Sequence, residues 1–157
     1  MKVRVGMGFD VHRFADDAGR ALVIGGVTFE GVGLAGHSDA DPVAHACIEA
    51  LLGAAGLGDI GEHFADSDPV WAGADSVELL NETTRRVRAA GWEPGNVDCS
   101  VVLDQPKLAP RRAEMVKRLS EAVGAPVSVK GRRSEGLGAI GRGEGVACWA
   151  VAVVTAR

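Results

Sequence analysis

The chain has 157 residues, 46% of them hydrophobic and 24% charged, a composition that predicts one folded domain and excludes a disordered chain. A net charge of −4 without a long run of Lys or Arg, and only 4 Phe and 3 Trp with no Tyr, argue against a nucleic-acid binder, which needs a basic footprint or stacking rings. The 22 glycines, about twice the usual share, need a physical reason.

Along the chain, Met1 to Gly6 reaches Asp10 before an apolar leader core can form, and no apolar run is long enough to span a bilayer. A soluble, cytoplasmic protein with no membrane contact is the expectation. Val3, Val5 and Met7 alternate with other residues, which predicts a strand ended by Gly8. Leu22 to Ile24 and Val27 to Phe29 flank Gly25-Gly26 and predict two short strands around a turn. Asp39 to Ala55 predicts a helix with Pro42 in its first turn and Gly56 at its stop.

A polar loop from Gly58 to Gly73 precedes a second helix, capped by Asp75 with Glu78 at the capping-box spacing. On it Val77, Leu80, Thr84 and Val87 face inward, Glu82 and Arg86 pair on the outside, and Gly91 ends it. Val97 to Leu103 predicts a strand and Pro110 opens a third helix carrying Met115, Val116, Leu119 and Val123. Short Val127 to Val129 and long Val146 to Val154 complete the strands. Strands and helices alternate in α+β or α/β fashion without linker or repeat, so residues 1–157 read as one domain.

Cys47, Cys99 and Cys148 are odd in number and widely spaced, which reads as three buried apolar residues rather than a disulfide framework or a thiolate zinc site. Gly136 to Gly141 matches G-x-G-x-x-G, but a polar lead-in and a strand behind it are the wrong setting for a dinucleotide fingerprint. Neither a Walker A loop nor a G-x-S-x-G elbow is present.

Chemistry concentrates elsewhere. In the extended run Phe9 to Arg13, period-two geometry puts Asp10 and His12 on one face. Alone, such a pair reads more readily as a capping acid beside a surface histidine than as a metal site. The helix adds His45, which shares a face with Asp41 and Glu49 at i−4 and i+4. One carboxylate and two imidazoles suit zinc with a coordination position left open, and Glu49 or Asp59 is expected to orient a ligand imidazole. The same trio suits an oxygenase iron, although that site normally rides on an all-β roll. The acidic turns Gly58 to Gly61 and Phe64 to Pro69 can accept from sugar hydroxyls or serve as plain Asx-turns. Lys107, Arg132, Arg133, Ser134 and Glu135 combine phosphate donors with a carboxylate suited to Mg²⁺.

As an ordered set, Gly6-Met7-Gly8-Phe9-Asp10-Val11-His12, Ala35 to Asp41 with His45, Leu57 to Gly61, Gly73 to Ser76, Gly95 to Asp98, Gln105-Pro106-Lys107 and Gly141 to Val146 resemble the 2-C-methyl-D-erythritol 2,4-cyclodiphosphate synthases of non-mevalonate isoprenoid biosynthesis. The resemblance covers essentially the whole chain. It implies an α+β, sandwich-like fold with a four-stranded mixed sheet packed against helices, assembled as a homotrimer with active sites between subunits. It implies a metal-dependent lyase that closes 4-diphosphocytidyl-2-C-methyl-D-erythritol 2-phosphate on itself and releases CMP.

Zn²⁺ or another divalent transition metal would sit on Asp10, His12 and His45, and Mg²⁺ or Mn²⁺ near Glu135 would bridge the substrate diphosphate. His37 matches a transition-state stabiliser, and Arg133 stands where the family has a threonine with that role. The resemblance places substrate at Asp10, Val11, His12, His37 and Ser38, and at the erythritol-side residues Asp59, Ile60, Gly61, Phe64, Ala65, Asp66, Ser67 and Asp68. Leu103, Asp104, Gln105, Pro106, Lys107, Leu108 and Ala109 would cup the nucleoside. Arg132, Arg133, Ser134 and Glu135 would meet phosphate. Arg142 matches a cavity residue, and Ala139 replaces an aromatic there. A relative that binds nucleotide without turnover, through the Arg132-Arg133 change, is the non-enzyme alternative.

Overall fold

The computed structural model describes residues 2–157. β1 (Val3–Arg13), β4 (Trp92–Val102), β5 (Val127–Arg132) and β6 (Gly145–Ala156) form a four-stranded sheet in the order β1-β6-β4-β5. β6 is antiparallel to both neighbours and β4 is parallel to β5, so the sheet is mixed. β1, β4 and β5 therefore run the same way and end at the same end of the sheet, with β1 and β5 on opposite edges.

Three long helices, α1 (Pro42–Ala55), α3 (Ser76–Ala89) and α4 (Arg112–Val123), build the core with the sheet. α1 is buried on nearly every side because it packs against β1, β6, β4 and α3 together. Its closeness to β1 depends on glycine. Gly8 is not the strand's end but one of its core-facing residues, where a Cβ would strike the Ala46 carbonyl oxygen and the Ala50 nitrogen, and Gly6 meets the backbone of Ala50 and Ala54 in the same way. The strand continues because extended backbone suits glycine there, and the missing side chain is what the helix packs against.

The alternation Val3, Val5, Met7, Phe9, Val11 points away from that core. These residues, with Trp149 and Val151 on β6, leave an apolar sheet face exposed, Met7 at 70% and Val5 at 64%. Phe9 and Trp149 are cross-strand partners with ring centroids 4.8 Å apart.

β2 (Leu22–Ile24) and β3 (Val27–Phe29) form the expected hairpin, its turn made by Gly25 and Gly26 at φ of 61° and 73°. Their N–H groups donate to Asp41 at 2.8 and 2.6 Å, and Asp41 also accepts from Val43 and Ala44 as the cap of α1. That role starts α1 at Pro42, later than the sequence predicts. The polar loop is more structured than expected, with α2 (Ile60–His63) and a 3₁₀ turn at Pro69–Trp71 inside it. Another 3₁₀ turn, Ala109–Arg111, precedes α4, and a short α5 (Gly138–Gly141) leads into β6. α3 shows the predicted Asp75 cap, inward residues and Glu82–Arg86 pair. All three cysteines are buried, yet Cys47 Sγ and Cys99 Sγ lie 3.4 Å apart where α1 crosses the sheet. Among the described residues no helix is long and apolar enough to cross a membrane.

Candidate active site

Asp10 and His12 extend from the C-terminal half of β1 toward the first turn of α1, where His45 meets them. Asp10 Oδ2 lies 2.9 Å from His12 Nε2 and 3.2 Å from His45 Nδ1, and those two nitrogens are 3.2 Å apart. A tetrahedral zinc with ligands at 2.0–2.1 Å has edges of about 3.3 Å, so the trio matches three corners of such a site. Val11, between the two strand ligands, points to the exposed sheet face, so only its backbone can reach this site.

Outer partners fix both rings. His12 Nδ1–H donates to the Ala35 carbonyl at 2.7 Å, which leaves the Nε2 lone pair facing inward. His45 Nε2 lies 2.8 Å from Ser76 Oγ and 3.1 Å from Ser38 Oγ, which leaves Nδ1 facing inward. Burial by itself would raise the pKa of Asp10, but hydrogen bonds and charge from His12 and His45 prevail and lower it to about 2. Burial opposes charging His12, yet the Asp10 carboxylate outweighs that and raises its pKa.

Glu49 and Asp59 do not orient an imidazole. Glu49 stands one turn beyond His45, level with the start of α2, and accepts from Ile60 N–H at 2.8 Å. Asp59 caps α2, accepting from Glu62 N–H at 2.9 Å. Ala35, Ser38, Ser76 and Asp39 hold the rings instead. Ser76 belongs to a motif that carries the family resemblance, but its contact with His45 was not foreseen, because locally it reads as the residue after a helix cap.

A pocket of about 370 Å³ opens beside the trio, lined by Asp10, His12, His37, Ser38 and His45 and by Ile60, Gly61, Phe64, Asp66, Trp71 and Leu79. Gly36 lets the loop close on His12, since a Cβ there would stand 3.1 Å from the ring. His37 Nε2–H donates to the Asp68 carbonyl at 2.9 Å, tying the His37 loop to the acidic turn. Asp68 caps the Pro69–Trp71 turn through Val70 N–H, and Ala65 accepts from Asp68 N–H; Ser67 is exposed in the same turn. Phe64 is wedged between Trp71, edge-on at 5.1 Å, and the Arg86 guanidinium at 4.8 Å. Trp71 and Leu79 were not singled out by sequence because each reads there as an ordinary apolar residue.

The remaining predicted residues lie elsewhere. Leu103, Asp104, Pro106, Lys107, Leu108 and Ala109 form a second pocket of about 310 Å³ with Arg112, Gly131, Arg132 and Arg133, where β4 and β5 end. Ser134 Oγ–H donates to Asp104 at 2.9 Å. Gln105 turns toward a separate groove with Phe14 and Gly143. Glu135 is exposed at φ 56°, and Arg142 is exposed and paired with Glu144 at 2.5 Å. The two pockets share no residue: one adjoins β1 and the other β5, edge strands that stand three spacings or about 14 Å apart across the sheet.

The sequence matches the YgbB family over residues 3–155. It is 54% identical over 155 residues to a bifunctional enzyme IspD/IspF of Anaeromyxobacter sp. (strain Fw109-5), covering 97% of this chain but only 40% of that relative. It is 51% identical to the 2-C-methyl-D-erythritol 2,4-cyclodiphosphate synthase of Bordetella petrii, covering 96% of this chain and 94% of that one. A solved IspF–CDP complex from Plasmodium falciparum superposes with a TM-score of 0.84 at 30% identity, over 99% of this chain and 97% of that one. The chain thus corresponds to the whole of some relatives and to less than half of others. It belongs to the YgbB family.

Proposed function

We propose that the chain converts 4-diphosphocytidyl-2-C-methyl-D-erythritol 2-phosphate to 2-C-methyl-D-erythritol 2,4-cyclodiphosphate and CMP, as a phosphorus–oxygen lyase of isoprenoid precursor biosynthesis. The observation that carries this is the convergence of Asp10, His12 and His45 at the mouth of a pocket walled by His37, Ile60, Gly61, Phe64 and Asp66. The named synthase of Bordetella petrii and the CDP complex from Plasmodium falciparum support it.

The donor set fits a zinc-like divalent ion, held by Asp10, His12 and His45, that would supply positive charge to phosphate oxygens. A second ion, Mg²⁺ or Mn²⁺, would be held by Glu135 and would offset charge on the diphosphate. The chain's own task is orientation. Nucleophile and electrophile belong to one molecule, so holding the 2-phosphate near the β-phosphorus contributes on the order of 7–11 kcal/mol. Asp59, Ala65, Asp66, Ser67 and Asp68 with the Gly61 backbone receive the erythritol hydroxyls, while Ile60 and Phe64 offer apolar wall to its carbon face. His37 and Ser38 line the pocket and face the phosphate groups of the substrate. An ionised phosphate is already the nucleophile and needs no general base to strip a proton from it.

The nucleoside half belongs to the second pocket: backbone of Leu103 to Ala109 cups the base and ribose, and Lys107, Arg132 and Arg133 meet the diphosphate. Arg133 brings a full charge where the family threonine brings a hydroxyl. Because the pockets occupy opposite sheet edges, one chain offers half a site at each. A homotrimer with sites between subunits joins the β1 edge of one chain to the β5 edge of the next. The exposed apolar face of Val3, Val5, Met7, Phe9, Val11, Trp149 and Val151 supplies the surface to bury. Incubating purified protein, Zn²⁺ and Mg²⁺ with the substrate should release CMP and cyclodiphosphate in equal amounts. A linear hydrolysis product, or CMP binding without turnover, would refute the reading.

A further inference from the structure

His45 is gripped from behind by residues that touch neither Asp10 nor His12. Ser76, the first residue of α3, is wholly buried, and its Oγ lies 2.8 Å from His45 Nε2. The Ser76 hydroxyl donates to the Asp39 carboxylate, whose other oxygen accepts Ser76 N–H at 3.1 Å. With its proton committed to Asp39, Ser76 Oγ has only lone pairs to offer, so the hydrogen shared with His45 comes from Nε2. Asp39 is itself fixed: its N–H donates to the Ala74 carbonyl at 3.0 Å, and its carboxylate accepts from Asp41 N–H at 3.2 Å. Ser38 Oγ, at 3.1 Å, is a weaker second acceptor for the same imidazole proton and also accepts from Ala40 N–H.

We propose that Asp39 and Ser76 are positioning residues that lock the His45 ring with Nδ1 toward Asp10 and His12 and so strengthen its hold on a divalent cation. This deepens the functional reading, since it rests on Asp10, His12 and His45 being metal ligands. A carboxylate acting through a hydroxyl orients the imidazole and makes the inward nitrogen a better donor. The two histidines differ in this respect. His12 is held by the neutral Ala35 carbonyl, whereas the hold on His45 ends in a side-chain charge that substitution can remove. Asp39 precedes α1 and Ser76 begins α3, so the relay also ties the start of α3 to the loop that leads into the ligand helix.

The test is zinc affinity of the full-length chain, measured by competition with a chromophoric chelator, together with thermal melting of the metal-free protein. Asp39→Asn and Ser76→Ala should each weaken zinc binding by about 10–100-fold. Asp75→Ala, which removes the cap of the same helix without touching the relay, should leave zinc affinity unchanged while lowering the melting temperature. Wild-type affinity in both relay variants would overturn the proposal. So would an equal loss in Asp75→Ala, because loosening α3 would then explain everything. Zinc binding by the wild-type chain that His12→Ala does not weaken would sink the ligand set itself, a distinct failure that takes the relay with it. If one relay variant does not fold, the other decides.

Discussion

Gly8 on β1 lies directly against the Ala46 carbonyl on α1, one residue after His45, the third member of the candidate metal-ligating trio. The spacing of strand and helix at that point sets how far His45 stands from Asp10 and His12. A methyl group there would need the helix backbone to move, because the atoms it meets belong to the main chain.

Gly8→Ala is therefore expected to destabilise the chain by about 1–3 kcal/mol or more and to weaken zinc binding as well. Thermal melting and chelator competition check the two effects. A well-folded Gly8→Ala chain with wild-type zinc affinity would show that the close approach does not set the site.

Metal binding should release a proton. In the metal-free chain Asp10 titrates near 2 against an ordinary 3.8, so its contribution to stability is full above 3.8 and fades as pH falls toward 2. The His12 pKa is raised from 6.5, so its contribution is full below 6.5 and is lost as pH rises through its folded value. A cation must displace that proton from His12 Nε2. Zinc affinity should consequently rise with pH up to the raised His12 value and then level off, with about one proton released below it. Calorimetry in buffers of different ionisation enthalpy measures the number, and a pH-independent affinity from 5 to 8 would contradict it.

Asp10→Asn and Arg133→Ala should each abolish most turnover, on the order of 100-fold or more, by emptying different halves of the site. Only Asp10→Asn should impair zinc binding, because Arg133 lines the other pocket. Mixing the two inactive chains in equal amounts should restore about one quarter of the sites, each drawing one intact half from each variant. Co-refolding and assay read this directly. No recovery would place both halves within one chain.

Met7→Glu puts a charge on the exposed sheet face without touching the core. The variant should stay folded by circular dichroism, sediment as a monomer, and lose turnover while keeping zinc affinity. Unchanged mass and activity would show that this face is not the subunit contact.

Much of the fold was legible in the sequence because local chemistry dictates it. The Gly25-Gly26 turn, the Asp75 cap, the Gly56 stop and the inward stripe of α3 all follow from backbone conformation and helical period. Asp10 and His12 were legible as a same-face pair for the same reason. Glu49 was misread because spacing on one helix names a face, but only the packed position of α2 says which donor meets it.

What the residue order alone determined is therefore the elements and the candidate ligand types: an extended Phe9–Arg13 run with acid and histidine on one face, and a helix carrying a second histidine. Tertiary structure decided which partners those groups keep. It sent the β1 apolar alternation outward, drew Ser76 and Asp39 behind His45, and set Lys107, Arg132 and Arg133 at the far sheet edge. The physical reason is range. Capping, turn and alternation energies act within a few residues, whereas burial and side-chain hydrogen bonding are settled only when distant segments compete for the same space.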